Sequence, residues 1–321
     1  VSLLFATLRA LAPLFLLIVL GYGLKRARIL HVSHVPALNG LVVKVTMPAL
    51  IILGLTGTPA LPRQALTLPL ALLLTQAMMM GIAWGIGRLG KFPSAIQGAL
   101  MVVGVFGNTG FLGYPMALAL HPAQFPEAIL LDQFGMTIAL YLCTPLIGAK
   151  FGAAGGANHD ARATALRFLR SPIFLALIAG TLARLIPWPP TLLSLPAVEG
   201  TGEVLKKCLT YLGQGTTPLV LLALGTALRP GAGRAYVKPL LLASLLKLIL
   251  CPLTMWMICR ALGLHGVLLA AGMLSSAMPT AVMASVLSAE HDLEGDFAIS
   301  AAFGSTVLAA ATVPLVMALM R

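Results

Sequence analysis

Two short stretches concentrate the polar chemistry of an otherwise apolar sequence. One is Gly107-Asn108-Thr109-Gly110-Phe111-Leu112-Gly113-Tyr114-Pro115, and the other is Ser275-Ser276-Ala277-Met278-Pro279-Thr280. Their amides and hydroxyls donate and accept hydrogen bonds without ionising. The interleaved glycines and prolines are poor material for a continuous helix. Such groups suit the holding of a polar or anionic guest by neutral donors. Nucleophilic and metal chemistry have no comparable signal: HExxH, P-loop and GxSxG patterns are missing from the chain, so an ATP-driven pump and the common hydrolases lack support. The acidic run Glu290-His291-Asp292-Leu293-Glu294-Gly295-Asp296 lacks calcium-loop spacing and reads as a solvated inner loop. Cys143, Cys208, Cys251 and Cys259 read as small hydrophobes. Neither a metal nor a cofactor is expected.

Three ionisable residues, Lys44, Asp132 and Lys247, interrupt long apolar runs. A charge within a span costs a few kcal/mol near the bilayer centre on insertion scales, so each is a functional candidate by default. Lys44 is more simply a snorkelling lysine. Asp132 is open to three readings: a proton site, a partner of either lysine, or a residue near the outer interface.

The elements that must carry these groups follow from composition. Of 321 residues, 59% are hydrophobic and 9% charged, and the mean hydropathy is +0.98. Soluble domains carry roughly 25% charged residues, so a water-facing surface cannot be built here. A soluble enzyme, a nucleic-acid reader and a disordered tail are excluded, despite a net charge of +12. At about 20 apolar residues per helical span, the chain divides into ten: 3–24, 36–55, 66–89, 95–120, 127–148, 172–187, 204–228, 236–263, 266–289 and 294–320. Continuous apolar runs such as Leu11–Leu20 rule against the alternation of a β-barrel.

With the N-terminus outside, Lys25, Arg26, Arg28, Arg88, Lys91, Lys150, Arg162, Arg167, Arg170, Arg229, Arg234 and Lys238 fall inside. The smaller set Arg9, Arg63, Arg184, Lys206, Lys207, Arg260 and Arg321 falls outside, as the positive-inside rule prefers. A basic linker, 149–171, then separates a five-span half, 1–148, from a second, 172–321. Five is odd, so similar halves must be inverted. Pro48 and Pro218, Pro69 and Pro239, and Pro145 and Pro314 join equivalent spans at separations of 170, 170 and 169 residues. The expected fold is therefore an all-α integral membrane protein with ten transmembrane helices in two inverted five-helix repeats.

The two polar stretches fall in the fourth span of each half. Paired interrupted helices at corresponding positions are the best sequence pointer to a midplane binding site. Each half-helix that restarts near the midplane presents unpaired N–H groups and about +0.5 of an elementary charge. Two such starts facing one another attract an anion without a full positive charge in lipid.

These motifs, with Met278-Pro279-Thr280-Ala281, resemble the auxin efflux carrier family of bacterial permeases, relatives of the plant PIN carriers. Leu20-Gly21-Tyr22, Leu38-Asn39, Met47-Pro48, Leu224-Gly225 and Lys247 before Pro252 extend the likeness along the chain. The resemblance implies that helices 4 and 9 are broken and cross, as in the bile-acid/sodium symporter-like superfamily. It implies a scaffold from helices 1, 2, 6 and 7 and a transport unit from helices 3–5 and 8–10, working as an elevator-type secondary transporter. Its guests would be small organic anions such as malate, malonate or auxin-like carboxylates. Asn108, Thr109, Gly110, Met278, Pro279 and Thr280 would bind the guest, while Gly107, Pro115 and Pro279 would shape the crossing. Gly107 replaces the proline that plant carriers place before Asn-Thr; Lys247 matches a basic position in them, pointing to charge attraction or stabilisation of the carrier unit. The expected setting is the bacterial inner membrane, with lipid as neighbour, no nucleic acid, and a homodimer through the scaffold. Proton or sodium coupling stays open. So do two other readings: a sodium-coupled bile-acid-type symporter, and an intramembrane enzyme or sensor.

Overall fold

The computed structural model describes residues 2–56, 63–152, 166, 169–185, 196–228 and 235–319, whose regular elements are all helices. In chain order they are α1 (Ser2–Arg26), α2 (Val32–Thr56), α3 (Arg63–Leu89), α4 (Ser94–Val103), α5 (Thr109–Leu120), α6 (Pro122–Phe151), α7 (Pro172–Leu185), α8 (Gly200–Ala227), α9 (Val237–Ala261), α10 (Gly266–Ala277), α11 (Val282–Glu290) and α12 (Gly295–Leu319). Six of them (α2, α3, α6, α8, α9 and α12) are long and apolar enough to cross a membrane. With so few charges to face water, the chain is an integral membrane protein. Most of the linker 149–171 and the expected positions of Arg162, Arg167, Arg229, Arg234 and Arg321 lie outside the described residues.

The helices fall into two compact units. One comprises Leu14–Ala60 and Arg167–Ala227. Its helices close on glycine: α7 lays Gly180 against Leu55 and Ile52 of α2, while α8 and α1 exchange Gly225 and Gly21 across one contact. Lipid tails are as apolar as leucine, so close backbone approach through small residues is what holds such helices together. Arg184 Nη1 donates to the Leu55 carbonyl at 2.8 Å, closing the C-terminal end of α2.

The other unit comprises Val1–Pro13, Leu61–Leu166 and Leu228–Arg321. Here α3 packs on α4, α6 and α9, and α9 packs on α10 and α12; α11 packs on α12 and on α6. Within this unit the two expected interruptions are real. Between α4 and α5 the chain leaves the helix over Gly104–Asn108, and between α10 and α11 over Met278–Ala281. The first gap is shorter than the Gly/Pro pattern suggests. Thr109–Gly113 is wound as a wide π-turn and runs straight into Tyr114 and Pro115. The wider turn lets the stretch stay helical despite its glycines and its proline.

Three more π-turns lie within α2 (Val42–Thr46), α6 (Leu131–Thr137) and α9 (Leu246–Leu250). Each holds one of the three in-span ionisable residues, Lys44, Asp132 and Lys247 respectively. Such bulges re-aim a side chain and are frequent at functional sites. Lys44 is exposed on α2; Asp132 and Lys247, at 4% and 0% exposure, are enclosed by protein.

Candidate functional site

The two gaps meet as a short antiparallel bridge. Gly107 pairs with Thr280; the Asn108 N–H donates to the Pro279 carbonyl at 2.7 Å, and the Ala281 N–H to the Phe106 carbonyl at 3.0 Å. Pro279 sits where only its carbonyl is needed, so its missing N–H costs nothing there. Because the bridge is antiparallel, α5 and α11 start from opposite ends of it. Their N-terminal ends, the positive ends of the helix dipoles, therefore converge on one locus.

The side chains around the bridge divide their hydrogen bonds unequally. The Thr280 hydroxyl donates to the Val103 carbonyl at 2.7 Å and so closes the end of α4, while its backbone N–H donates to Ser305 Oγ at 3.0 Å. The Thr109 hydroxyl donates to Asp132 Oδ1 at 2.5 Å. Asp132 Oδ2 accepts from Gln133 Nε2 at 2.7 Å, and that amide also donates to the Tyr114 hydroxyl at 3.1 Å. Asn108 is different. Its Oδ1 accepts from the Phe111 N–H at 3.2 Å and caps α5, but its Nδ2 is buried with no hydrogen-bond partner. A buried amide donor left open costs roughly 1–3 kcal/mol, and such an exception points to a missing ligand.

Lys247 stands behind Gly107. Its ammonium donates to the Ser276 carbonyl in the last turn of α10 at 2.6 Å and approaches Cys251 Sγ at 3.5 Å. A cation at a helix C-terminus is favourably placed. A Cβ on Gly107 would fall 2.8 Å from Lys247 Cε and 3.1 Å from its Nζ, so the glycine here makes room for the ammonium. Gly107→Ala is expected to cost roughly 1–3 kcal/mol beside Lys247, and much less beside Lys247→Leu, whose side chain stops short. Thermal unfolding of the two singles and the double in detergent measures this coupling; an equal cost in both backgrounds would contradict it.

Thr109, Gly113, Ala117, His121, Gln124, Ala128, Leu274 and Ser275 contribute to the lining of a cavity of about 10 Å³ beside the bridge. That holds about one water molecule. A carboxylic acid is larger than this space.

Of the residues expected at the site, Gly107, Asn108, Thr109, Gly110, Met278, Pro279 and Thr280 gather at or next to the bridge, and Lys247 and Asp132 adjoin them. Pro115 lies beyond the crossing, in the body of α5. Lys44 belongs to the other unit. Gln133, Ser275 and Ser305 hold or line the site but carried no assigned role. The adjacent pair Asp132-Gln133 within the apolar run from Ala128 was the signal available for the first of them.

The profile described as membrane transport protein matches residues 6–147 and 161–317. An uncharacterized transporter of Methanocaldococcus jannaschii is 28% identical over 305 residues, 94% of each chain. Another, of Methanothermobacter thermautotrophicus, is 27% identical over 300 residues, 93% of each.

Proposed function

For a chain that belongs to the membrane transport protein family, that of the auxin efflux carriers, we propose the role of secondary carrier for small organic anions. The guest, a mono- or dicarboxylate of the malate, malonate or indole-acetate kind, sits at the bridge between α5 and α11. The observation that carries this reading is the buried, unpartnered Asn108 Nδ2 at the meeting point of two helix N-termini. One neutral donor and two dipole ends favour a carboxylate without fixing a permanent cation in its path.

The finer architecture belongs to the same proposal. Ten spans form two inverted repeats, with α4–α5 as the fourth span and α10–α11 as the ninth. Equivalent packing supports the inversion: α3 on α4 is repeated by α9 on α10, α4 on α6 by α10 on α12, and α3 on α6 by α9 on α12. The unit bearing the bridge is the transport unit and the other the scaffold, which alternating access of the elevator type requires. The protein works in a bacterial inner membrane with its N-terminus outside, and the scaffold is the surface for a homodimer. A sodium-coupled mode is less favoured, because the Lys247 ammonium already meets the carbonyl end of α10 that a bound cation would use.

The test is counterflow of labelled malate, malonate and indole-3-acetate into proteoliposomes, beside a thermal-shift screen against the same acids. At least one acid is expected to raise the unfolding midpoint and to exchange, with or without sodium. Failure of every acid in both assays would remove the reading, and turnover without transmembrane flux would replace it with an enzyme.

A further inference from the structure

We propose that Asp132 is the proton-binding site that couples anion movement to proton movement in this carrier. The inference rests on the carrier reading above and names its coupling ion.

The geometry argues through Thr109. A threonine hydroxyl has one proton, and Thr109 gives it to Asp132 Oδ1. The same Thr109 lines the cavity beside the bridge. With Asp132 ionised, an entering anion meets only lone pairs on Thr109 Oγ1, with a second negative charge directly behind them. When Asp132 takes a proton from the aqueous side, the direction of the bond reverses. The carboxyl O–H donates to Thr109 Oγ1, and the threonine proton turns to the guest. On the far side the guest leaves, Thr109 gives its hydrogen bond back to Asp132, and the carboxyl releases its proton to water. No bond of the guest changes. For a guest of single negative charge, the site empty with an ionised Asp132 and the site loaded with a protonated one carry the same charge, so both forms cross the membrane on equal electrostatic terms.

The surroundings leave this role to Asp132. Tyr114 is the titratable group that faces it from α5, its hydroxyl hydrogen-bonded to Asp132 itself as well as to Gln133. From α3 the nearby polar side chain is Gln76, bonded to Met136 Sδ at 3.3 Å, while the ionisable groups of that helix, Arg63 and Arg88, lie at its two ends. Helices α4 and α10 carry no titratable side chain. Glu127 and Tyr141, on the same helix as Asp132, are five and nine residues away. Lys247, beyond Gly107, is turned to the Ser276 carbonyl. Among the cavity's lining residues the titratable one is His121, whereas Asp132 stands behind Thr109.

Full-length protein in pyranine-loaded liposomes tests this with malonate, malate and indole-3-acetate, against protein-free liposomes. Flux of the carried acid is expected to acidify the interior. Counterflow should fall with rising pH, approaching tenfold per unit on the alkaline side for one linked proton. Asp132→Asn should show a flat pH profile, at whatever rate it runs, and His121→Asn the wild-type slope. Acidification and pH profile are read on the wild-type carrier whether or not Asp132→Asn assembles. Wild-type flux without acidification, an Asp132→Asn profile that keeps its slope, or a His121→Asn profile that loses it, overturns the assignment while leaving the carrier reading standing. No flux of any acid removes the carrier reading first, and this proposal with it.

Discussion

Asn108→Asp is expected to yield a protein that inserts and folds normally and moves carboxylates at about one-thousandth of the wild-type rate. The substitution keeps the oxygen that accepts from the Phe111 N–H, so the cap of α5 is retained; aspartate caps as well as asparagine. What changes is Nδ2, the buried donor without a partner, which becomes a carboxylate oxygen. Two like charges about 4 Å apart at an effective dielectric of 20 repel by about 4 kcal/mol, roughly a thousandfold in binding. Asn108→Ala removes donor and cap together: flux should again be abolished, with about 1 kcal/mol of cap stability lost as well. Labelled malonate counterflow reads the first quantity and thermal midpoints in detergent the second. Unchanged uptake by either variant would falsify the bridge as the site.

The second large effect concerns stability. Gly225→Ala should destabilise the protein by roughly 3 kcal/mol, the upper end for overpacking, and leave little monodisperse material. A Cβ there would collide with the Ile18 carbonyl oxygen and lie 2.9 Å from both Ile18 C and Tyr22 N. All three are backbone atoms, which cannot rotate aside as a long side chain can. Gly21→Ala meets the facing backbone at Leu222 in the same way and should behave alike. Gly23, two residues further along α1, has nothing within 4 Å of its Cβ position. Gly23→Ala should therefore be neutral or gain up to about 1 kcal/mol of helix propensity. Thermal midpoints and size-exclusion profiles of the three variants decide this; equal behaviour of Gly225→Ala and Gly23→Ala would refute the close contact.

Much of the site was legible before any coordinates. Asn108, Thr109, Pro279 and Thr280 stood out because polar residues, glycine and proline are conspicuous in apolar runs. Their places in the chain suggested that the two breaks belong together, as the bridge bears out. Their individual hydrogen bonds were not legible. Thr280, expected to face the guest, spends its hydroxyl proton on Val103 in this conformation, and Thr109 spends its own on Asp132. Asp132 offered three readings from sequence; the structure encloses it against Thr109 and Gln133. Gln133 drew no attention, because glutamine beside aspartate has no motif to announce it. The wide turns under Lys44, Asp132 and Lys247 were equally hidden, since no residue type encodes a π-turn.

Membrane character, the approximate positions of the helices and the location of the two interruptions were written in the linear chain. Each depends on a window of about twenty neighbours, because insertion into lipid is judged segment by segment on local apolarity. Folding alone decided which donor meets which acceptor: Lys247 with Ser276, Thr109 with Asp132, Gly225 with Ile18. Those partners lie 23 to 207 residues apart. A hydrogen bond or a backbone contact exists only within a few ångströms, a distance that helix packing sets and local composition does not.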